Sequence, residues 1–502
     1  MVILLYSKGE CKRNLPIGLQ FVSNDIISPL KNKQGVKIIL NFFKKIINSA
    51  LSGTEVSAGN EAESVATQVK IYSRAEHNIS RSLISENALK VLYRLQKEGF
   101  DAYLVGGCVR DLLLGREPKD FDVVTNADPE QVRKVFRNCR LIGRRFRLAH
   151  VHFGREIIEV ATFRGAGEKQ NDKQVLNNEG RLLRDNVYGT IEEDVWRRDF
   201  TVNALYYNIK DFSVVDFVDG MADHKTGTLR LIGDPDMRFR EDPVRMLRAV
   251  RFAVKLGFKL DSDCEKSMHN DAQLLSSIPS ARLYDEALKL FLSGYALQTF
   301  EMLRHYGLFQ VLFPATENSL AVEENGFPRL LLIKALENSD NRISEGKTVT
   351  AYFLLAAFLW DPVQMLAKEK MAQGEVEFIA FQDAASEIIA RQVRSTALPR
   401  HISTAMREVW NIQPKFNARV GSKPSRLIGH PRFRAGYDFL VLRAETGGAD
   451  PALAEWWTQY QNANENEQRK MTQPPRNSQN NKSGRKRSYH RKAKDSTPKT
   501  EP

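Results

Sequence analysis

Residues Gly115–Asp128 read GREPKDFDVVTNAD, and this stretch decides the fold. Phe121, Val123, Val124 and Thr125 read as a β-strand, and Asp128-Pro129 as the capped start of a helix. Asp120 and Asp122 are two apart, so on a strand both carboxylates leave the same face. Like charges side by side raise each other's cost of ionisation. Either these are two solvated acids at a strand end, or they share a divalent cation. Mg²⁺ takes oxygen ligands, commonly one or two carboxylates plus substrate phosphates.

Upstream, DAYLVGG reads as a strand running into Gly106-Gly107, and VRDLLLG as a short helix closed by Gly115. Glycines let backbone N–H groups approach a phosphate, and a helix N-terminus favours an anion. The same residues also make an ordinary tight turn. Arg110 adds a fixed positive charge. A glycine turn, an arginine and an acid pair within seventeen residues, Gly106 to Asp122, are the parts that nucleotidyl transfer needs.

Downstream lie two further candidates. In RRDFTVNAL (Arg197–Leu205), Arg198 suits a triphosphate or ribose, and Asp199 a metal or sugar; a surface ion pair reads equally well. In REDPVRMLRAVRFAVKLGF, Asp242 and Pro243 fit N-cap and first helical position, and Arg245, Arg248 and Arg251 recur every three residues. That basic stripe faces either solvent or a nucleotide. His150 and His152 have no third ligand nearby, and zinc is not expected.

Around these motifs the pattern is mixed α/β first and helical from about Asp242. Ser85 caps a helix, AHVHFGREIIEVATFR alternates like a hairpin, and ALYYNI and VVDFVD supply strands. Segments such as SARLYDEALKLFLSG and TAYFLLAAFLW then read as helices. Residues 52–78 are polar and read as a linker. GVKIILNFFKKIINSAL before them is amphipathic at helical spacing and fits a terminal helix or a peripheral membrane contact. No methionine lies between Met1 and Met221, so a start downstream of Met1, as at Val36, is expected.

Among 502 residues, 74 Lys plus Arg oppose 61 Asp plus Glu, a net charge of +13. Nine of those charges sit in Arg469–Pro502, where eleven Lys or Arg face Asp495 and Glu501. That stretch is rich in Asn, Gln, Ser and Pro and reads as a disordered basic arm for an anionic partner, nucleic acid first. Cys11, Cys108, Cys139 and Cys264 form no CxxC, which argues against a disulfide scaffold or zinc ribbon and fits a reducing compartment. No stretch reaches the roughly 20 apolar residues of a membrane span.

Together LVGGCVRDLLLG, KDFDVVT, RRDFTVNAL and EDPVRMLRAVRF resemble the class II nucleotidyltransferases of the polymerase beta superfamily. That family holds bacterial poly(A) polymerases and CCA-adding tRNA nucleotidyltransferases. The resemblance runs from about Ile84 to Arg443. It is closer to the poly(A) polymerase branch, because LIGRRFRLAHVHFG (Leu141–Gly154) resembles that branch's distinguishing element and the basic tail suits it.

The resemblance implies an α+β fold: an N-terminal mixed α/β nucleotidyltransferase head, an all-helical neck and body, and a disordered basic C-terminal tail. The expected divisions are an extension and linker (1–78), head (79–225), neck (226–295), body (296–465) and RNA-binding tail (466–502). By position, Asp120 and Asp122 hold Mg²⁺ and Asp199 is a third catalytic acid. Gly106, Gly107, Arg110 and Arg198 approach the nucleotide, while Asp242 and Arg245 read its base with Arg248 beside them. The implied activity is template-independent addition of AMP from ATP to RNA 3′ ends in the cytoplasm, with RNA-decay proteins as further partners. A CCA-adding enzyme and a non-catalytic RNA-binding protein are the alternatives; the intact DFD and RRD segments argue against the latter.

Overall fold

The computed structural model describes residues 69–143, 147–165, 174–176, 182–185, 187–322 and 330–473. The amphipathic segment, Cys11 and the tail beyond residue 473 lie outside them, as do the expectations made for them.

Among the described residues the strands of the N-terminal part are β1 (Lys70–Tyr72), β2 (Ala102–Val105), β3 (Asp122–Thr125), β4 (Cys139–Ile142), β5 (Leu148–Phe153), β6 (Glu156–Thr162), β7 (Gln174–Leu176), β8 (Leu182–Asp185), β9 (Leu205–Asn208) and β10 (Val214–Asp216), and a separate parallel pair follows, β11 (Thr228–Leu229) with β12 (Lys259–Leu260). Strands β7 and β8 also pair separately; the remaining eight form one sheet in the order β1-β10-β9-β2-β3-β6-β5-β4. Within it β3 and β6 are parallel, and all other neighbours antiparallel. The expected hairpin is β5–β6.

Strand alternation divides the sheet into two differently used faces. Leu104, Val123, Ile158 and Val160 pack under α1 (Glu86–Lys97), α2 (Gly107–Leu113) and α3 (Pro129–Val135), through Val91, Leu95, Val109, Leu112 and Val132. Val105 and Val124 face the other way and join Phe163, Val195 and Tyr206. Asp122 shares the face of Val124, two residues on. The helix starts were locally encoded: Ser85 accepts from the Asn87 and Ala88 N–H groups, and Asp128 from that of Gln131, with Pro129 at the first turn.

The chain continues through α4 (Ile191–Trp196), α5 (Gly220–Thr226), α6 (Pro235–Glu241), α7 (Val244–Leu256), α8 (Ser262–Asp271) and α9 (Ser280–Phe291), and among the described residues all further elements to Met471 are helices. One long core runs from Phe200 and Phe239 through Phe309 and Phe358 to Phe439 and Leu442. A smaller one gathers Phe416, Phe433 and Trp457. This is the α+β architecture expected. Among the described residues no helix is long and apolar enough to cross a membrane, and Cys108, Cys139 and Cys264 are unbridged.

Four local expectations need correction. The end of the expected linker is structured: Lys70–Tyr72 pairs with Val214–Asp216, and His77 Nε2 lies 2.8 Å from the Phe212 carbonyl. The strand is only three residues long, too short for alternation to reveal it. Asp120 precedes β3 rather than lying on it. Helix α7 begins at Val244; Asp242 is extended (φ −146°, ψ 93°) between α6 and α7. The start of the expected disordered tail is a helix, Glu465–Met471, held by a reciprocal Asn464–Glu467 cap.

Candidate active site

A cavity of about 390 Å³ opens on the Val124 face of the sheet. Asp122 and Glu159 come from the parallel strands β3 and β6, where they are register partners. Arg197, Arg198 and Asp199 follow α4, Asp242 lies between α6 and α7, and Arg245 and Arg248 come from the start of α7. An acidic wall thus faces an arginine-rich one.

The acidic wall is electrostatically incomplete. Burial first, then the Glu159 charge, push the Asp122 carboxyl up to about 6; Arg198 pulls it down and Asp120 adds to the rise. Gly106 closes this corner. Its φ of +79° is glycine territory, and a Cβ there would lie 3.8 Å from Asp122 Oδ2. Carboxylates that penalise one another's charge are the donor set that a divalent cation relieves. Asp122 and Glu159 therefore fit such an ion in chemistry; Asp120, exposed just before β3, does not line the cavity. Glu159 was not anticipated from sequence. Its link to Asp122 is made by β-pairing across 37 positions, with no local signal.

The arginine wall is anchored from behind. Arg198 donates from Nε and a terminal nitrogen to Asp194 Oδ2 at 3.0 and 2.8 Å. The Tyr206 hydroxyl donates to the same oxygen at 2.8 Å. Burial works against the Arg198 charge, but Tyr206 and Asp194 outweigh it and hold the guanidinium above its usual pKa. Arg245 donates to Glu241 at 2.7 Å and to the Arg238 carbonyl at 2.8 Å. Asp242 accepts from Arg282 of α9 at 2.7 Å. The expected base-reading pair is thus braced on both sides.

Two expected roles meet a different geometry. Asp199 lines the cavity, yet Arg248 Nε donates to its Oδ2 at 2.8 Å, and its Oδ1 accepts from the Phe200 N–H at 2.8 Å. Burial would raise this carboxyl, but Arg248 and these hydrogen bonds hold it below the usual range. Among the described residues no three His, Cys, Asp or Glu side chains gather as a metal-holding group, and this holds for Asp120, Asp122 and Glu159 as it does for Asp199. What the geometry gives Asp199 is its tie to Arg248.

Arg110 is only 3% exposed. It turns away from the cavity to Asp111 and, at 2.7 Å, to Asn203 Oδ1. The partner that holds it is 93 residues distant. Gly107 does not line the cavity either. His150 faces Glu159 at 3.3 Å across the β5–β6 pair and belongs to no metal cluster among the described residues.

Three family descriptions match: "Poly A polymerase head domain" over residues 102–230, "Probable RNA and SrmB- binding site of polymerase A" over 257–320, and "Polymerase A arginine-rich C-terminus" over 373–494. Poly(A) polymerase I of Salmonella typhi is 47% identical over 440 residues, covering 86% of this chain and 93% of that protein. The Haemophilus influenzae enzyme of the same name is 48% identical over 404 residues, covering 80% and 89%. A CCA-adding enzyme of Lactobacillus helveticus is 37% identical over 215 residues, covering 43% of this chain and 52% of its own. The fold is shared with the solved Thermotoga maritima CCA-adding enzyme complexed with tRNA, at TM-score 0.51 and 20% identity over 78% of this chain and 86% of that one. With so much of both chains matched at such identity, this chain belongs to the bacterial poly(A) polymerase I family.

Proposed function

We propose that this cleft joins AMP from ATP to RNA 3′ ends, with the roles divided between its two walls. The chain is a polynucleotide adenylyltransferase, a transferase that polyadenylates RNA. The observation that carries the division of roles is the acidic corner of Asp122 and Glu159 facing Arg198, Arg245 and Arg248 across one cavity.

Nucleotidyltransferases of this family use divalent metal, and we assign Mg²⁺ to Asp120 and Asp122 with Glu159 beside them. Bound there, it would supply charge for an attacking 3′-oxygen and a leaving pyrophosphate. Arg198, locked by Asp194 and Tyr206, presents a fixed cation to the triphosphate. Asp242 and Arg245 offer an acceptor and donors to the base edge. Bracing by Arg282 and Glu241 limits their freedom, so one base edge is favoured without a nucleic-acid template. Arg248, fixed by Asp199, stands beside them. Arg110 and Asn203 position the glycine turn from beneath. The head (79–225), neck (226–295), body (296–465) and basic tail (466–502) divide catalysis, base reading and RNA holding, in a cytoplasmic setting.

The test offers ATP or CTP, in turn, with a generic RNA and with tRNA lacking its terminal CCA. Long tails from ATP alone on both RNAs are expected. Addition of CTP followed by ATP, confined to tRNA, would overturn the reading.

A further inference from the structure

A second cavity, of about 440 Å³, lies in the helical part and shares no lining residue with the catalytic cleft. It is formed by helices Ala351–Ala372, Glu377–Ser395, Arg400–Ile412, Phe433–Glu445 and Pro451–Asn462. Three features of its lining point to one kind of ligand.

The first is Arg443. Its guanidinium donates to two neutral acceptors, Gln413 Oε1 at 3.2 Å and the Gly448 carbonyl at 2.7 Å. Its other contact is the Trp360 ring, 4.8 Å away. Its Nε is buried with no hydrogen-bond partner. No carboxylate offsets its burial, which pushes its pKa down to about 10. Of the two lining acids, Asp450 is occupied in capping, accepting from the Ala452 N–H at 2.9 Å, and Glu377, exposed in the first turn of its helix, makes no ion pair with Arg443 among the described residues. A largely buried cation lacking a counter-ion is costly unless an anion completes it.

The second is a carboxamide pair. Gln382 donates to Asn411 Oδ1 at 2.6 Å. This leaves Gln382 Oε1 as an acceptor and the Asn411 amide as a donor, neither of them used elsewhere among the described residues. An acceptor beside a donor is the complement of the adenine edge, whose N6 amino group donates and whose adjacent ring nitrogen accepts. The third is Phe378, at the cavity mouth, 69% exposed. It packs on no other ring among the described residues, so its face is available to a base.

We propose that this cavity binds a nucleotide of single-stranded adenine-rich RNA, base on Phe378 and the Gln382–Asn411 pair, phosphate on Arg443. The occupant follows from the reading above that the chain makes such RNA. The product then has a holding site separate from the cleft that extends it.

The full chain, in EDTA to stop extension, is titrated with fluorescent oligo(A) at several salt concentrations. Phe378→Ala is expected to weaken binding about tenfold. Arg443→Gln is expected to lower the salt slope by about one phosphate contact. An oligo(A) carrying 8-azidoadenine is expected to crosslink within the Trp360–Gln382 segment. Single AMP addition to a short primer should be unaltered by Phe378→Ala. Its loss in the parent chain would instead indict the polyadenylation reading. Unchanged oligo(A) affinity in both variants, with no crosslink there, would overturn the proposal and leave this face to a protein partner, which exposed Val376 and Ile379 would suit. A crosslink abolished by free ATP, with oligo(A) affinity unaltered in the variants, would overturn RNA as the source of the nucleotide.

Discussion

The catalytic cleft and the body cavity both hold partly buried arginines, but Arg198 and Arg248 of the cleft are treated oppositely to Arg443 of the body. In the cleft, Arg198 answers Asp194 and Arg248 answers Asp199, and both guanidiniums are held above their usual pKa despite burial. In the body, Arg443 has neutral partners and its pKa falls. A paired guanidinium is a fixed strut, whose geometry is set before a ligand arrives. An unpaired one retains its capacity for an anion. The cleft's unmet charge is instead negative, at Asp122, where like charges crowd. One chain thus carries a corner suited to a cation and a cavity suited to an anion.

The strongest way to break this contrast is Asp122→Asn. AMP incorporation is expected to fall on the order of 10³-fold, because the charge facing the reacting oxygens is lost. Oligo(A) affinity, measured in parallel, should stay put, since the body cavity shares no residue with the cleft. Equal losses of both would show that the two regions are not separate.

Next in size is the strut itself. Arg248→Ala leaves Asp199 without its main counter-charge, at an expected cost of about 2–4 kcal/mol to stability in urea denaturation. The figure is on the low side of such deletions because Arg248 keeps 34% of its side chain in solvent. Adding Asp199→Asn should recover much of the loss, since the stranded charge goes with it. A double variant no better than the single would mean that Arg248 acts through packing on Phe252, 5.3 Å away.

What the sequence revealed follows the range of each interaction. Ser85, Asp128 and Pro129 announce helix starts because a cap acts within three residues. The strand after Asp120 was legible from its run of Phe121, Val123 and Val124, and the β5–β6 hairpin from alternation. Glu159 was not, because its partnership with Asp122 exists only once β3 and β6 pair. Arg110 beside two glycines looked like a phosphate ligand until Asn203 turned it inward. Asp199 followed two arginines in its motif, but the arginine that holds it is Arg248 of a distant helix. Arg443 carries no sequence signal: an arginine without a counter-ion is visible only when its surroundings are.

The smallest expected effect is the dependence on pH, and it separates the regions again. In the metal-free fold the Asp122 carboxyl, at about 6, lies above the ~3.9 of an unfolded chain. Its stabilising contribution is therefore full below about pH 3.9 and is lost as pH rises through about 6. A cation reverses the preference, since it needs the ionised carboxylate and competes with the proton. Mn²⁺ binding, followed by calorimetry from about pH 8 down to about pH 5, should hold steady and then weaken below about 6, approaching tenfold per unit for one proton. Glu159→Gln removes the neighbouring charge and should move that break to lower pH; an unmoved break would assign the titration to another group. Over the same interval Arg443 stays charged, because even at about 10 its pKa is above the whole range. The pH at which Mn²⁺ is lost from the cleft should therefore leave Arg443's share of oligo(A) binding in place.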